Sequence, residues 1–570
     1  MSTHARPLAD LLAASSDDDL TRLFASRGVR ADPGWHDLFD AAEALLDPSS
    51  LSKALPRLSA AEAAALLRAE AGADPGDHRA ALAALALLGP DGSPWPPLSP
   101  LLAGRSAPRV HSTAPPDAAD TAASAHAAER AFTTVALLAD LLMMTRDAPF
   151  SLLAGGSVSA AEKRQLGDAG VPIDAVDALL GIAVDAELAV AIDRRLRVTP
   201  DGDEWLRSPV ASRWTRLAIA FRATLPQGLR AADGGWIATA DWGSAHPWDP
   251  TWPERSDALL DTARLLGLVA EHDAEPAWAI GLRQGDDPDT ATLTALLPAE
   301  VDRIFLQNDL TAIAPGPLAP ELDVRLRTIA ARESAAQASS YRFTGESIAR
   351  AFVVGETEHS ILDFLGRISL TGIPQPLSYL VSQTAQRHGL VRVSTDEETG
   401  RTRIESDDRH LIDAMAVDQS LRPLGLTAHV AALTTKVGRD TVYWALTDAR
   451  YPATLIGADG APEVGDRHPP RAVTSTTVER GIDYAPLISR LRSRQGPDAD
   501  AAWLDRELEA AVRARAVLRV TVGKPDGSTR DLVLEATGMG GGRLRGRDRA
   551  ADVERTLPVS SIRTATIVAP

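Results

Sequence analysis

Residues 301–393 decide how the whole chain is interpreted, because their elements can be followed one after another. They open with the run Arg303-Ile304-Phe305-Leu306-Gln307-Asn308-Asp309-Leu310-Thr311-Ala312-Ile313-Ala314, closed by Pro315-Gly316-Pro317. The stretch 305–314 is apolar on both faces, which predicts a central strand. A helix over 320–336, a short strand at 341–343 and two further helices follow, so we predict an α/β unit.

Three polar residues of this unit invite a functional interpretation, and each has a simpler one. His388 stands beside Gly389 at a predicted helix end, which favours a C-terminal cap over a functional histidine. Gln307 and Asp309 are candidates for substrate binding. Polar side chains near a strand end usually make local hydrogen bonds, and we favour that interpretation for both.

The composition bounds the class of protein. A chain of 570 residues is too long for one core, and 45% apolar with 24% charged residues is ordinary for a globular protein. The absence of cysteine excludes disulfides and thiolate zinc sites and favours a cytoplasmic location. The start lacks a signal-peptide pattern. The most apolar run, 135–144, is interrupted by Asp140 and falls short of the roughly 20 residues that span a bilayer.

The overall charge argues against a protein that coats nucleic acid. The net charge is −18 and the pI is about 5.2. Such a chain repels phosphate on average, so any nucleic-acid contact must come from a local basic patch.

The N-terminal half is predicted to be mainly helical. Residues 1–104 contain short helices, one of them opened by a capping-box pattern from Ser59 to Glu62. Residues 105–128 are rich in Pro, Ala, Ser and Thr and predict a flexible linker.

Residues 129–207 have the element order of a winged helix, with three helices before a two-stranded ribbon. The third helix, 174–186, carries Asp174, Asp177 and Asp185 and no basic residue, so it would repel phosphate. This favours a scaffold used for packing or protein contact over a helix that reads DNA. The better nucleic-acid candidates are three arginines of the ribbon: Arg194, Arg195 and Arg197.

Residues 208–298 repeat this theme as a second winged-helix-like domain. Segments 268–271 and 278–280 are predicted to pair as its wing. A tryptophan-rich stretch within it is either a stacking platform for single-stranded bases or a set of anchors to a core, and irregular spacing among Gly and Pro favours anchors. These tryptophans are Trp236, Trp242, Trp248 and Trp252.

The central unit, taken as residues 299–395, resembles the accessory N-terminal domain of XPB-type repair and transcription helicases. The resemblance rests on the order and spacing of several blocks: 306–311, 315–318, 341–344 with Ser347 and Ala351, 361–365, 373–377, 387–389 and 391–393. The chain as a whole is similar to actinobacterial helicase-associated domain proteins. That similarity implies a winged-helix-like N-terminal half.

The sequence lacks the motifs of a helicase motor. None of the four lysines lies in a Gly-x-x-x-x-Gly-Lys-Ser/Thr phosphate loop, and no Asp-Glu-x-His or Asp-Glu-x-Asp run is present. The chain also has no Gly-x-Ser-x-Gly or His-Glu-x-x-His motif. We therefore expect a non-enzymatic protein that needs no cofactor.

The C-terminal third is predicted to contain an α/β extension at 396–475 with a β-α-β unit, a helical connector at 476–512, and strands over 513–570. A hairpin turn is predicted at 524–528. The last segment resembles the small Sm-like β-barrel of WYL-type regulatory domains in its strand–turn–strand order and final Pro-x-x-x-Ile-Arg. The Trp-Tyr-Leu tripeptide itself is absent, which leaves ligand binding open.

A local basic excess marks this last segment. Residues 513–549 contain nine basic and four acidic residues, an excess of +5. Alternation along a strand places every second residue on one face, which suits a phosphate backbone. An ordinary solvated strand edge explains the pattern equally simply. The candidate phosphate-binding residues are Arg519, Arg543, Arg545, Arg547 and Arg549.

The fold class that we predict is multidomain and mainly α, with α/β regions and a small C-terminal β-barrel. The predicted function is that of a DNA-associated accessory protein in transcription or repair, with DNA and a helicase or transcription protein as partners. The alternative is a scaffold that docks onto a separately encoded helicase without binding DNA itself.

Overall fold

A computed structural model describes residues 4–108, 117–168, 170–335, 338–396, 398–429, 432–463, 465, 467, 482–494, 497–523 and 528–567. About half of the described residues are helical, and the strands form several small sheets. The chain divides into two compact units. Unit 1 comprises residues 1–116, 225–261 and 478–570, and unit 2 comprises residues 117–224 and 262–477.

The α-helices of the described residues range in length from 4 to 27 residues. In chain order they are α1 (Ala5–Ala14), α2 (Asp17–Ser26), α3 (Leu38–Leu46), α4 (Pro48–Ala54), α5 (Ala60–Glu70), α6 (Arg79–Ala84), α7 (Ser99–Leu102), α8 (Thr121–Asp147), α9 (Ala160–Asp168), α10 (Val176–Asp185), α11 (Pro200–Trp205), α12 (Val210–Thr224), α13 (Trp252–Leu265), α14 (Ala277–Arg283), α15 (Thr290–Thr294), α16 (Pro320–Ile329), α17 (Gly345–Val353), α18 (Glu358–Ile368), α19 (Gln375–Arg387), α20 (Arg409–Val417), α21 (Arg439–Asp448), α22 (Ala485–Arg492) and α23 (Pro497–Ala514).

The strands form a ribbon and three larger sheets. In chain order they are β1 (Ala189–Ile192), β2 (Arg195–Val198), β3 (Phe305–Leu306), β4 (Thr311–Ala314), β5 (Ala331–Ala335), β6 (Ser339–Arg342), β7 (Val391–Thr395), β8 (Thr402–Glu405), β9 (Thr427–Ala428), β10 (Ala432–Thr435), β11 (Ala453–Ile456), β12 (Pro462–Glu463), β13 (Val517–Gly523), β14 (Thr529–Gly540), β15 (Arg543–Asp548), β16 (Val553–Pro558) and β17 (Ile562–Ile567). The sheet orders are β1-β2, β3-β4-β6-β5, β12-β11-β7-β8-β10-β9 and β16-β15-β14-β13-β17.

The N-terminal helices of unit 1 share one apolar core with helices from the C-terminal part of the chain. The predicted capping box forms between Ser59 and Glu62 and opens α5. The core continues into α22 and α23 through Leu487 and Trp503. Just before α22, the hydroxyl of Tyr484 donates to the carbonyl oxygen of Val29 at 2.5 Å. The helical prediction for the connector is confirmed where the structure describes it.

The tryptophans of the 225–261 segment are anchors. Trp236, Trp242 and Trp252 are 2%, 1% and 1% exposed. The indole of Trp252 donates to the carbonyl oxygen of Trp242 at 2.6 Å. Fully buried rings offer no face to a base, so the stacking-platform alternative is wrong for these three and the anchor interpretation is confirmed.

The first predicted winged-helix segment has the expected elements in the expected order. Helices α8, α9 and α10 precede the antiparallel β1-β2 ribbon. The prediction of a linker over 105–128 is wrong at its end, because α8 begins at Thr121, where the Asp120 side chain caps it. Part of that linker, residues 109–116, lies outside the described residues. The winged-helix assignment itself stays a prediction.

The second predicted wing is wrong. Residues 278–280 lie inside α14, and 268–271 form no strand. Trp278, Ala279 and Leu282 point into the core at helical spacing, and the indole of Trp278 donates to the Gly267 carbonyl at 2.9 Å. Burial of this helical face prevails over the β-propensity of the short apolar runs. The compact units also separate residues 225–261 from the rest of this predicted domain.

The run 303–314 forms a hairpin and not one strand, so the central-strand prediction is wrong in part. β3 and β4 pair antiparallel through Phe305 and Ile313. The turn between them is held by Asp309, which accepts from the Thr311 amide at 3.2 Å, and Leu310 has a φ of +64°. Gln307 likewise accepts from the Thr311 hydroxyl at 2.9 Å, so the local hydrogen bonds predicted for Gln307 and Asp309 are confirmed.

The helix predicted over 320–336 is shorter than expected. α16 ends at Ile329, and the next residues leave it to form β5, which pairs with β6. Ladder hydrogen bonds to β6 outweigh the helix propensity of the alanines there. The next two helices each begin with a capping box, from Thr344 to Ser347 and from Thr357 to Ser360. His388 is the C-cap of α19, as predicted. Its ring is 5.2 Å from that of Phe352, and burial lowers the pKa of His388.

The six-stranded sheet of unit 2 contains the predicted β-α-β connection. α21 joins β10 to β11, and β7 and β8 lie between these two strands. β11 pairs in parallel with β7, whereas β8 is antiparallel to both of its neighbours. β9 precedes β10 and pairs with it antiparallel at the edge of this sheet.

The C-terminal segment forms an open sheet. β16 and β17 stand at its two edges, and no pairing joins them among the described residues. The sheet is thus not closed in the part of the chain that the structure covers, and the small WYL-like barrel stays a prediction. β13 and β14 pair antiparallel on either side of the hairpin turn predicted at 524–528, and most of that turn lies outside the described residues.

No helix among the described residues is long and apolar enough to cross a membrane.

Candidate nucleic-acid interface

The eight predicted phosphate-binding arginines fall into two groups on different units. Arg194, Arg195 and Arg197 belong to the β1-β2 ribbon of unit 2. The other five lie on or beside β13 and β15 of unit 1. The two groups therefore belong to separate surfaces.

One face of the C-terminal sheet carries all five arginines of the second group. Along β15, Arg543, Arg545 and Arg547 are exposed while Leu544, Gly546 and Asp548 are buried. The strand alternation thus places the three arginines on one face, as predicted. We call this the outer sheet face, and it comprises Arg519, Glu535, Arg543, Arg545, Arg547, Arg549, Glu554 and their exposed neighbours.

Arg543 and Arg545 stand in an uncharged setting on the outer sheet face. Arg543 lies between Gly540 of β14 and Pro558 of β16 in the register. Arg545 lies between a glycine and a threonine, Gly538 and Thr556. Within the described part of the chain neither guanidinium has an ion-pair partner. Both are therefore available to an anion.

Arg547 is neutralised, although its strand position is equivalent. Its Nε donates to Asp552 at 2.7 Å, and this hydrogen bond raises the pKa of Arg547. Glu535 and Glu554 lie directly across from it on the neighbouring strands. A guanidinium among three carboxylates contributes little to the attraction of phosphate.

Arg519 and Arg549 form a second basic position on the outer sheet face. Arg519 is opposite Val533 of β14, and the amide of Arg549 donates to the Val533 carbonyl at 3.0 Å. The Glu535–Arg547–Glu554 row separates them from Arg545. The five arginines therefore make two basic positions with an acidic row between them.

Asp548 does not reduce the positive charge of the outer sheet face, because its side chain lies on the opposite, buried face of the sheet. It is 2% exposed, and Arg555 Nε donates to it at 2.6 Å. That hydrogen bond, with those from the amides of Ala550 and Ala551, lowers the pKa of Asp548. A charge count along the sequence includes Asp548 with the arginines, whereas the fold places it on the opposite face.

The three arginines of the ribbon differ in their exposure and in their hydrogen bonds to the rest of the fold. Asp193 and Arg194 form the turn with φ values of +50° and +58°, as in the tight hairpins that match strand twist. The Nε of Arg194 donates to the Leu152 carbonyl at 3.2 Å, so this side chain is held to the neighbouring segment. Arg195 is exposed and Arg197 is half-buried, and among the described residues neither has an ion-pair partner.

The helix before the ribbon remains acidic in three dimensions. Asp177 at the start of α10 is paired with Lys163 of α9, and burial raises the pKa of Asp185 at its end. The side chains of α10 at Leu179, Leu180 and Ile182 are buried. The helix thus supplies no positive charge to a phosphate backbone.

The sequence did not predict which arginines are neutralised by neighbouring carboxylates. Asp552 and Glu554 lie outside the counted segment, and only the β15-β16 register shows that they neutralise Arg547. The structure shows no cluster of His, Asp or Glu among its described residues that could hold a metal ion.

The comparison with protein families identifies one segment. Residues 304–429 match the family described as the helicase conserved C-terminal domain. The segment runs from the β3-β4 hairpin through β9 and so continues past residue 395, where the predicted central domain ended. It is a helicase-related domain. No curated protein matches the chain.

Proposed function

We propose that the chain is a non-enzymatic, DNA-associated accessory protein of transcription or DNA repair that lacks a helicase motor. The observation that carries this proposal is the helicase-related segment 304–429 in a chain without a phosphate-loop lysine. A helicase motor needs a phosphate-binding loop for its nucleotide, and the sequence contains no such motif. We also propose a type for three domains. Residues 299–395 form an XPB-type domain, residues 129–207 form a winged helix, and residues 513–570 form a WYL-like domain.

The proposal places the phosphate contact mainly on Arg543 and Arg545. Their exposed, uncharged setting gives unit 1 a local positive surface although the chain carries −18 overall. Arginine donates in a fork that matches phosphate oxygens. The distant charges are screened beyond about 10 Å at 0.1 M salt, so a small patch can act alone.

The double variant Arg543→Ala/Arg545→Ala is expected to weaken binding of duplex DNA and to flatten its salt dependence. Each lost phosphate contact removes about 0.9 from the slope of log K against log[salt], so two contacts remove roughly 1.8. Fluorescence anisotropy with a labelled duplex at two or more salt concentrations measures both quantities.

Arg547→Ala is the matched control. It removes the same side chain from the same strand, but one that Asp552 already neutralises. We expect its affinity and salt slope to stay close to those of the unaltered chain. A loss as large as that of the double variant would show that the outer sheet face does not act through its two unpaired arginines.

The alternative function is a protein scaffold that docks onto a separately encoded helicase or transcription complex. The observation that favours it is the surface around α10, where Asp174 is exposed and Ile173 and Val184 are 50% and 45% exposed. Apolar side chains beside acidic ones suit a basic protein surface better than DNA. Affinity capture that recovers no helicase or transcription protein would count against this alternative.

A further inference from the structure

A segment without acidic residues crosses the helicase-related domain. No Asp or Glu occurs between Asp363 and Asp396, although 77 acidic residues in 570 would place about four there. The segment contains Arg367, Arg387 and Arg392. Helix α19 lies wholly within it, so this helix differs in charge from the acidic α10.

The exposed side chains of α19 form one stripe. Their spacing of three and four residues places them within one side of the helix. Leu377 and Val381 on the opposite side are fully buried in the core of the domain. Tyr379, at the middle of the stripe, is 66% exposed. The stripe consists of Gln375, Tyr379, Gln383, Gln386 and Arg387.

These side chains have no partners within the part of the chain that the structure covers. No hydrogen bond or ion pair involves the amides of the three glutamines, the hydroxyl of Tyr379 or the guanidinium of Arg387 there. Their donors and acceptors therefore face outward on a helix that is held rigidly by its buried side. This is a pattern of groups that recognises polar edges of another molecule.

A second acid-free segment, 205–232, shows that this availability is not general. Its arginines are occupied within the fold. Arg213 donates to the carbonyl oxygens of Trp205 and Leu206, and Arg222 donates to that of Asp286 at 2.6 Å. Arg216 pairs with Asp201. Both segments lack acidic residues. Of the two, only the segment with α19 presents a stripe of polar side chains that have no partner within the described part of the chain.

The position of α19 in the fold is that of a third helix before a ribbon. α17, α18 and α19 are followed by the antiparallel β7-β8 pair, the same order as α8, α9, α10 and β1-β2. In winged-helix proteins the third helix can enter the major groove. The stripe covers about 18 Å at 1.5 Å per residue, which corresponds to roughly five base-pair steps.

The ribbon beside α19 does not offer positive charge. Arg392 is paired with Asp407, and Arg403 with Glu405. The loop between the strands carries Asp396 and Glu398. These carboxylates repel phosphate, so the contribution of this part of the fold must come from the helix face alone.

We infer that the exposed face of α19 reads base edges in the major groove of duplex DNA. The inference rests on the proposed function and adds a binding site to it. Glutamine forms paired hydrogen bonds with adenine and arginine with guanine, and Tyr379 adds a hydroxyl and an apolar ring. Since four of the five side chains are uncharged, the site confers sequence preference, whereas the outer sheet face supplies phosphate affinity.

The test uses the full chain and a duplex selected from a random-sequence pool. Gln383→Glu puts a negative charge at the centre of the stripe, and Gln419→Glu puts the same charge at an exposed glutamine outside α19. We expect Gln383→Glu and Tyr379→Ala each to lower affinity for the selected duplex about 10-fold or more. Gln419→Glu should change it less than about 2-fold, because exposed charges at a distance are screened.

The outcomes separate the inference from the proposed function. If the unaltered chain binds no duplex, the proposed function fails and the inference falls with it. If the chain binds duplex but Gln383→Glu and Tyr379→Ala behave like the unaltered chain, the inference alone is overturned. Equal losses for Gln383→Glu and Gln419→Glu also overturn it, because they reflect overall charge. Unaltered thermal unfolding of each variant confirms that the helix is intact.

Discussion

Replacing Asp140 by alanine is expected to lower the free energy of unfolding of unit 2 by about 3–5 kcal/mol. This carboxylate interrupts the most apolar run of the sequence, within α8. In the structure it accepts from Arg327 Nη1 at 2.9 Å and also from Arg332. It thus joins α8 to α16 and β5.

The large effect follows from the burial of all three side chains. Those of Asp140, Arg327 and Arg332 are 12%, 13% and 17% exposed. Burial lowers the pKa of Arg327, but the charges of Asp140 and Asp323 outweigh burial and raise it overall. Removal of the carboxylate leaves Arg332 without its ion-pair partner in the interior and Arg327 with Asp323 alone, 3.7 Å away. The cost of the desolvated charge is then offset only in part.

Urea unfolding measures the loss, and hydrogen–deuterium exchange in α8 and α16 assigns it to unit 2. Asp363→Ala is the matched control, because Asp363 pairs with Arg367 on an exposed helix face with side chains 57% and 64% exposed. That substitution should cost no more than about 1 kcal/mol. Equal losses for the two variants would contradict the role given to the buried cluster.

The second large effect is expected at Glu507 of α23. Glu507→Gln should remove a decline in the stability of unit 1 that the unaltered chain shows as the pH rises from about 4.5 to about 7. The side chain is buried, with Arg6 Nη1 3.8 Å from its Oε2. Burial raises the pKa of Glu507 to about 7; Arg6 lowers it and Asp10 raises it further.

The sign follows from which state binds the proton. Below about pH 4.5 both the folded and the unfolded chain hold it. Between 4.5 and 7 only the folded chain holds it, so the free energy of unfolding falls with rising pH. Above 7 both states are ionised and the decline ends. At 1.36 kcal/mol per pH unit the full decline over this window is at most about 3.4 kcal/mol.

Thermal or urea unfolding at a series of pH values tests this. Glu509→Gln, on the exposed side of the same helix, is the control and should keep the decline. If Glu507→Gln and the unaltered chain show the same pH dependence, Glu507 is not the group that causes it.

The parts of the fold that the sequence predicts well are those specified by neighbouring residues. The capping box at Ser59 begins a helix because the cap and its partner Glu62 are three residues apart. The alternation of Arg543, Arg545 and Arg547 on one face follows from strand geometry alone. Such features need no knowledge of distant contacts.

The errors occur where distant contacts decide. Residues 278–280 are helical because this places the ring of Trp278 in the core, where its indole N–H donates to the Gly267 carbonyl. Strand β5 forms because β6 lies beside it and pairs with it. The same holds for the candidate site. Arg543 and Arg547 are alike in sequence, and only the pairing of β15 with β16 and the contact with Asp552 distinguish them.

The contact between Tyr484 and Val29 has a consequence for biosynthesis. The two residues are 455 positions apart in the chain. At roughly 5–20 residues per second, the ribosome delivers the later one about 20–90 s after the earlier one. Throughout that interval the N-terminal helices lack the apolar partners that α22 and α23 provide. By its end, residues 117–224 and 262–477 of unit 2 have all been synthesised. The nascent chain therefore completes its second compact unit before its first, and its N-terminal helices wait longest for the residues that complete their core.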